Sequence, residues 1–264
     1  MSLILRIKNK AIAKLITKIP ALSAKFTDSY KPVESDYIPW TPFNKQLSEC
    51  KIALVTTSGV HHKNQTPFDM NDKNGDPSFR IIDSDKPVHD LMITHDYYDH
   101  SDADKDINIV FPIERLREFK AEGIIKEISQ FNYSFMGHID SHHIQTLISE
   151  TGPEVAIKLK KQNVDIVLLT PGWGICNQSV GLIQREIESR NIPTIGVSIV
   201  RNYSEKVKPP RTIFLKWPFG HPLGEPFNIA QHRTIIRHAF KALSDVKTPG
   251  EIVDLPYRWR REIY

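Results

Sequence analysis

The sequence predicts an α/β fold, namely a Rossmann-like three-layer domain with a mostly parallel sheet, preceded by a basic amphipathic N-terminal helix. Apolar, β-branched runs that are typical of buried strands occur at Lys51–Thr57, Asp165–Thr170 and Ile192–Val200. An amphipathic helical pattern that begins near Asn177 joins the second run to the third. A strand, a helix and a strand in this order imply a right-handed crossover and therefore a parallel pair of strands.

The other predicted elements alternate along the chain in the same way. Short apolar runs predict strands at Leu91–Thr94, Tyr133–Ile139 and Thr212–Trp217. Amphipathic patterns predict helices at Ile113–Glu122, Ile144–Ser149, Glu154–Gln162 and Asn228–Ser244. The polar segment from His61 to His89 is too long for a plain connector, so we interpret it as a lid over a binding site.

The chain divides into three predicted regions. Residues 1–45 comprise an amphipathic helix, in which no acidic residue precedes Asp28, and an extended connector rich in proline and aromatic residues. Three locations remain open for a basic helix of this kind: against its own domain, against a partner subunit, or in peripheral contact with an anionic membrane. Residues 46–245 form the α/β domain, and residues 246–264 form a basic C-terminal tail.

The composition is that of an ordinary globular protein, with 40% hydrophobic and 25% charged residues, which excludes disorder throughout. The formal net charge of +4 is concentrated at the amino end, so no nucleic-acid partner is expected. The two cysteines, Cys50 and Cys176, lie far apart and form neither a disulfide framework nor a zinc motif, which predicts a cytoplasmic location. No apolar run approaches the roughly 20 residues of a membrane span.

Cys176 lies where a predicted strand, a Gly/Pro turn and a helix follow one another. Ligands of open α/β sheets bind at the carboxyl ends of the strands, and a helix start offers free N–H groups. A thiol at this position can have its pKa lowered below the free value of about 8.5, which makes it reactive. The alternative is a small, buried, apolar side chain, since most free cysteines are of that kind.

Polar side chains also follow other predicted strands. His95 and Asp96 come directly after a short strand, where they can transfer protons, bind a metal or begin a helix. Thr56, Ser58 and His61 lie at the end of the first strand of the domain, and we expect them to bind a substrate.

Two further residues are candidates for substrate binding, namely His138 and Arg211. His138 follows the strand that begins at Tyr133, and Arg211 can hold a carboxylate in bidentate geometry. The spacing of His138, His142 and His143 matches no recognised ligand pattern, so no metal site is expected.

Many segments, in one order, resemble one family. They span about Ile38 to Pro226 and read IPWTPF from Ile38, ALVTTSGVHHK from Ala53, GDPSFRII from Gly75, ITHDYYDHSDADKDINIVFPIERL from Ile93, YSFMGHID from Tyr133, LLTPGWGICNQSVGLIQREIE from Leu168, PPR from Pro209 and GHPLGEP from Gly220. Through these segments the chain resembles the glycine/sarcosine/betaine/D-proline reductase selenoprotein B family, in a short form similar to the selenoprotein subunit of D-proline reductase.

The resemblance implies an oxidoreductase that breaks a C–N bond reductively in an amino-acid-like substrate, using a dithiol donor. In the family a selenocysteine attacks and a cysteine three residues later resolves the adduct. Trp173 stands at the selenocysteine position, and Cys176 stands at the cysteine position. Either a UGA codon has been read as tryptophan, or the tryptophan is genuine. An indole ring is not a nucleophile of that kind, so the chemistry is altered if the tryptophan is genuine.

The resemblance also implies partners. A pyruvoyl or similar carbonyl group on an activating subunit would prepare the amine of a small carboxylate or amine substrate, and a thioredoxin-like protein would supply the dithiol. Self-association into a homo-oligomer is left open by the sequence. The residues themselves firmly imply no cofactor. In this interpretation the catalytic set is Cys176, Trp173, His95 and Asp96.

Two other functions remain open. One is a single-cysteine lyase or isomerase that acts on a small carboxylate, with Cys176 as base or nucleophile and His95 as acid. The other is a non-catalytic subunit that binds small molecules, in which Trp173 is a stacking platform.

Overall fold

The computed structural model describes residues 3–260, so residues 1–2 and the end of the predicted tail from Arg261 to Tyr264 lie outside the described residues. The helices, in chain order, are α1 (Leu3–Lys18), α2 (Pro20–Ser29), α3 (Ile113–Ala121), α4 (His142–Thr146), α5 (Gly152–Lys161), α6 (Gly174–Glu188), α7 (Arg201–Val207) and α8 (Ile229–Asp245). A π-helical turn, Leu147–Thr151, connects α4 to α5 without a break.

The strands are β1 (Lys51–Thr57), β2 (Val60–His62), β3 (Phe79–Asp83), β4 (Leu91–Ile93), β5 (Glu127–Ile128), β6 (Phe131–Phe135), β7 (Ile166–Pro171), β8 (Thr194–Ser198), β9 (Arg211–Phe214) and β10 (Glu251–Asp254). Within the described residues the main sheet has eight strands, seven of them in the order β10-β9-β8-β7-β1-β6-β3, while β5 pairs with the start of β1. Only β3 runs antiparallel to its neighbour, which confirms the expected mostly parallel sheet.

Helices cover both faces of the main sheet. Because successive side chains of a strand point to opposite faces, Ile52 and Leu54 of β1 enter one apolar core, whereas Ala53 and Val55 enter another. The first core is completed by α3 and α8, and the second by α5 and α6. The domain therefore has three layers, as the continuous apolar runs of its central strands predict.

Two segments differ from their expected structure. The predicted C-terminal tail contains β10, which pairs in parallel with β9 and extends the main sheet, so the α/β domain does not end at residue 245. The segment from His61 to His89 is not a plain lid, because it contains β3, which pairs with β6. Both strands are short edge strands, whose apolar signal in the sequence is weak.

The predicted N-terminal helix is present, but most of the apolar side chains that the structure describes in it are exposed to solvent. Ala13 is buried, whereas Ile7 is 60% exposed and Leu15 is 52% exposed. Ile12 and Ile19 are exposed as well. We call α1 and α2 together the N-terminal arm. Within residues 3–260, no helix is both long enough and apolar enough to cross a membrane.

Candidate active site

The candidate site lies at the carboxyl ends of β1 and β7, which are parallel neighbours with Thr56 opposite Thr170. After β1 the chain continues to β6 on one side of β1, and it later returns to β7 on the other side. Ligands of open α/β sheets bind in the crevice at such a reversal of strand order. The turn that follows β7 carries Trp173 and leads into α6.

Cys176 lies in the first turn of α6 and is fully buried. Its Sγ lies 3.6 Å from Nε2 of His95. Burial raises the pKa of the Cys176 thiol to about 12, although the backbone of Trp173 and Gly172 acts in the opposite direction. The expectation of a lowered pKa is therefore wrong for this conformation. Loss of hydration outweighs the favourable field of the helix start.

His95 is buried beside the thiol and is neutral. Burial lowers the pKa of His95 well below its usual value, and nearby His138 and His100 act in the same direction. Its Nδ1 accepts a hydrogen bond from the backbone N–H of Tyr97 at 3.1 Å. A backbone N–H only donates, so the neutral ring carries its proton on Nε2, which lies toward Cys176 Sγ. In this tautomer His95 can donate a hydrogen bond to the sulfur.

Asp96 contacts the N-terminal arm. Its carboxylate is 1% exposed and accepts hydrogen bonds from Arg6 at 2.6 and 3.2 Å. Lys10 lies 3.5 Å from the same carboxylate. These contacts explain the orientation of α1, because its charged side chains face the domain at this point. Asp96 thus fastens the arm next to His95.

Trp173 fills the centre of the site. Its ring lies 4.7 Å from Phe26 of the arm, is stacked 5.6 Å from Tyr97, and is 5.6 Å from His138. The small residues Gly172 and Gly174 permit this close packing, since a Cβ at Gly174 would lie 3.3 Å from Phe26. Among the described residues, the buried Nε1 of Trp173 has no hydrogen-bond partner.

His138 joins this aromatic cluster. The polar groups of Thr56, Ser58 and His61 instead form hydrogen bonds within the protein. The His138 ring stacks on Tyr97 at 4.0 Å, and its Nε2 bonds to the carbonyl of Lys73 at 2.9 Å. Thr56 Oγ1 contacts Ser58 Oγ at 2.9 Å. The two ring nitrogens of His61 bond to the His62 carbonyl and to Thr94 Oγ1, both at 2.8 Å. His138, Thr56, Ser58 and His61 are all buried.

The structure does not bring Arg211 to the site. Arg211 is the first residue of β9, so it lies at the amino edge of the sheet, next to the last turn of α6. Twelve residues of helix separate Cys176 from Glu188, about 18 Å at 1.5 Å per residue. The buried guanidinium pairs with Glu188 at 2.6 Å and lies over Trp40 at 3.6 Å. The expected role in binding a substrate carboxylate at Cys176 is therefore incompatible with this position.

Several residues of the site were missed in the sequence. Asn177 donates to the carbonyls of Trp173 at 2.7 Å and Gly174 at 3.1 Å, and its Oδ1 accepts from the N–H of Ile199. It thereby holds the turn that carries Trp173 against the neighbouring strand end. The amide next to Cys176 was a signal for this role. Arg6 and Phe26 gave no local signal, because their partners lie far away in sequence.

The fold and site define a class of protein: a three-layer α/β protein with a thiol and an imidazole at the strand-order reversal of its sheet. A model of the family described as glycine/sarcosine/betaine reductase selenoprotein B matches residues 6–172, and the chain belongs to this family. The matched segment ends directly before Trp173, so it does not test the residue at the selenocysteine position.

Curated relatives support this assignment. The chain is 38% identical over 233 residues to D-proline reductase subunit gamma of Acetoanaerobium sticklandii, which covers 88% of this chain and 94% of that protein. It is 30% identical over 244 residues to glycine reductase complex component B subunit gamma of Symbiobacterium thermophilum, covering 91% of this chain and 56% of the relative. The chain thus spans only about half the length of that second relative. No solved structure shows a significant match.

Proposed function

We propose that the chain is a subunit of a reductase complex that breaks a C–N bond in a small amino-acid-like substrate, with Cys176 and His95 as its thiol site. One observation carries the proposal: Sγ of Cys176 lies 3.6 Å from Nε2 of His95, at the strand-order reversal where α/β proteins bind ligands. The relatives named as D-proline and glycine reductase subunits support the same class of reaction. Free Cys50 and Cys176 support the proposal of a cytoplasmic location.

The proposed reaction uses the sulfur of Cys176. In the hydrated site the Cys176 thiol first loses its proton to water. The thiolate then attacks the carbon next to the carboxylate, so that an S–C bond forms and the C–N bond breaks, with the nitrogen leaving as a protonated amine. A thiol of the dithiol donor then attacks Sγ, and the carbon departs with the electron pair of the S–C bond and takes up a proton. The second donor thiol releases Cys176, leaving the donor as a disulfide. His95 stabilises the thiolate through Nε2–H.

Access to the sulfur requires the N-terminal arm to move. Cys176 has no exposed surface, and Phe26 of α2 packs on the ring of Trp173, three residues before Cys176 in the turn that leads into α6. A thiol with a pKa of about 12 is almost entirely protonated at neutral pH. Displacement of the arm would hydrate the site and return the pKa toward its usual value. A docking partner subunit is the proposed cause of this displacement.

The proposal is tested with the reconstituted complex, using D-proline, glycine, sarcosine and betaine as substrates and dithiothreitol as donor. We expect Cys176→Ser to abolish consumption of the donor, and Cys50→Ser, which removes the other buried thiol, to retain it. Full turnover by Cys176→Ser contradicts the proposal. Turnover of a substrate without consumption of dithiol identifies a lyase or isomerase instead.

A second candidate is a non-catalytic, small-molecule-binding subunit. It is favoured by Trp173, which packs on Phe26 and Tyr97 and which stands, by the family resemblance alone, at the selenocysteine position. In that case Cys176→Ser retains ligand binding, and no variant of Cys176 changes turnover of the complex. The triplet at codon 173 and the selenium content of the purified chain distinguish a genuine tryptophan from a misread UGA.

A further inference from the structure

Two histidines and one aspartate converge outside the thiol site. His142 and His143 begin α4, and Asp72 belongs to the loop between β2 and β3. One ligand atom from each of the three lies within 4.8 Å of the other two. Nε2 of His143 lies 2.9 Å from Oδ2 of Asp72, and the two imidazole centroids are 4.0 Å apart. We call this group the His–His–Asp cluster.

The chemistry of the cluster suits a borderline divalent metal. Imidazole nitrogen and carboxylate oxygen are zinc ligands, and around one tetrahedral zinc they lie about 3.4 Å apart. To reach this spacing, the ligand atoms of the cluster, which lie within 4.8 Å of one another, must move closer together. A rotation of His142 achieves this, because its side chain is exposed and therefore free to turn. The Asn74 N–H donates a 2.8 Å hydrogen bond to Oδ1 of Asp72, and Oδ2 of the same carboxylate faces His143.

We propose that the His–His–Asp cluster binds one Zn²⁺ ion, with water in the fourth position. No local pattern in the sequence predicts this site, because Asp72 lies 70 residues before His142. The metal would fasten the loop around Asp72 to the connection between β6 and α4. That connection also carries His138, which bonds to the Lys73 carbonyl of the same loop. Zinc would thus stiffen one wall of the thiol site without contacting it.

The test is zinc binding by the full chain without a histidine tag, stripped with a chelator and followed by equilibrium dialysis and elemental analysis. We expect one zinc per chain for the wild type, and at least about tenfold weaker binding for His142→Ala, since loss of even an outer-shell partner typically costs 10- to 100-fold in affinity. Zinc should also raise the unfolding temperature of the wild type, because only the folded chain presents the cluster.

Two controls keep the test independent of the thiol site and of folding. His89→Ala removes another exposed histidine, and Cys176→Ser removes the buried thiol; both should bind zinc as the wild type does. Asp72→Asn should weaken binding like His142→Ala while circular dichroism stays unchanged. Substoichiometric zinc on the wild type, or wild-type affinity in His142→Ala, overturns the proposal. Either result leaves the proposed reductase function untouched, because turnover is measured separately.

Discussion

Release of the N-terminal arm should expose the sulfur of Cys176. The double variant Arg6→Ala/Lys10→Ala removes both cations that contact the buried carboxylate of Asp96. The closed conformation, in which the arm lies on the site, then loses the polar attachment of α1 at Asp96 and also retains an unpaired buried charge. The aromatic contact between Phe26 and Trp173 remains, so the arm opens more often but does not detach.

The size of the effect follows from the Arg6 contacts. Hydrogen bonds to a charged group contribute about 1.5–3 kcal/mol, but the Arg6 side chain is 38% exposed, and solvent screening reduces the value to about 1–2 kcal/mol. Since 1.4 kcal/mol corresponds to a factor of ten, the open population should rise about 5- to 30-fold. Reaction at Cys176 takes place in the open state, because a thiol with a pKa of about 12 is essentially un-ionised while closed.

The assay is the rate of alkylation of native protein by iodoacetamide at pH 8, followed by peptide mass spectrometry. Cys50 is a reference within the same chain, because it is equally buried but remote from the arm in the fold. Lys14→Ala is the matched control, since Lys14 is a cation of α1 on its exposed side. An unchanged Cys176 rate in the double variant refutes the reasoning. A parallel rise at Cys50 refutes it as well, because it means general unfolding.

Two further predictions concern stability. Burial lowers the pKa of His95, so the unfolded state binds a proton at this ring more tightly than the folded state does. The contribution of the neutral His95 to the free energy of unfolding is therefore complete above about pH 6.5 and falls by about 1.4 kcal/mol for each pH unit below it. Between pH 7 and pH 5, the free energy of unfolding measured in urea should therefore fall by about 2 kcal/mol more for the wild type than for His95→Gln. The same pH dependence in both proteins contradicts this prediction. Arg211→Ala should lower the free energy of unfolding by about 3–5 kcal/mol, because Glu188 is left buried without its ion pair. Calorimetry should show that Arg211→Ala binds the substrates of the reductase assay with wild-type affinity. A variant of intact stability that has lost this affinity would restore a substrate role for Arg211.

The central elements could be predicted because their sequence signals are local. β1 has the predicted limits, Lys51 and Thr57, since a strand buried on both faces is a continuous apolar run. The turn from β7 into α6 was visible for the same reason. Its Gly/Pro residues interrupt the apolar run, and helical periodicity begins after them. These signals place Cys176 at the carboxyl edge of the sheet without knowledge of any long-range contact.

The electrostatics of the site could not be predicted in this way. The helix start beside Cys176 is visible in the sequence, but the burial that reverses its pKa shift comes from residues distant in sequence, such as His95 and Met136. The pair of Arg6 and Asp96 joins residues 90 positions apart. The position of Arg211 could have been predicted from the sequence, because the turn before a parallel strand lies at the amino edge of a sheet, opposite the ligand crevice.

The complete burial of the Cys176 sulfur also affects how readily oxygen and peroxide oxidise this thiol. Oxidation of cysteine to sulfenic acid and beyond needs an accessible thiolate, and the closed conformation supplies neither access nor charge. We therefore expect the sulfur of Cys176 to stay reduced in aerated solution while the arm is in place. An opening that admits a reactant also admits peroxide, so oxidation of Cys176 should accumulate only while the arm is displaced.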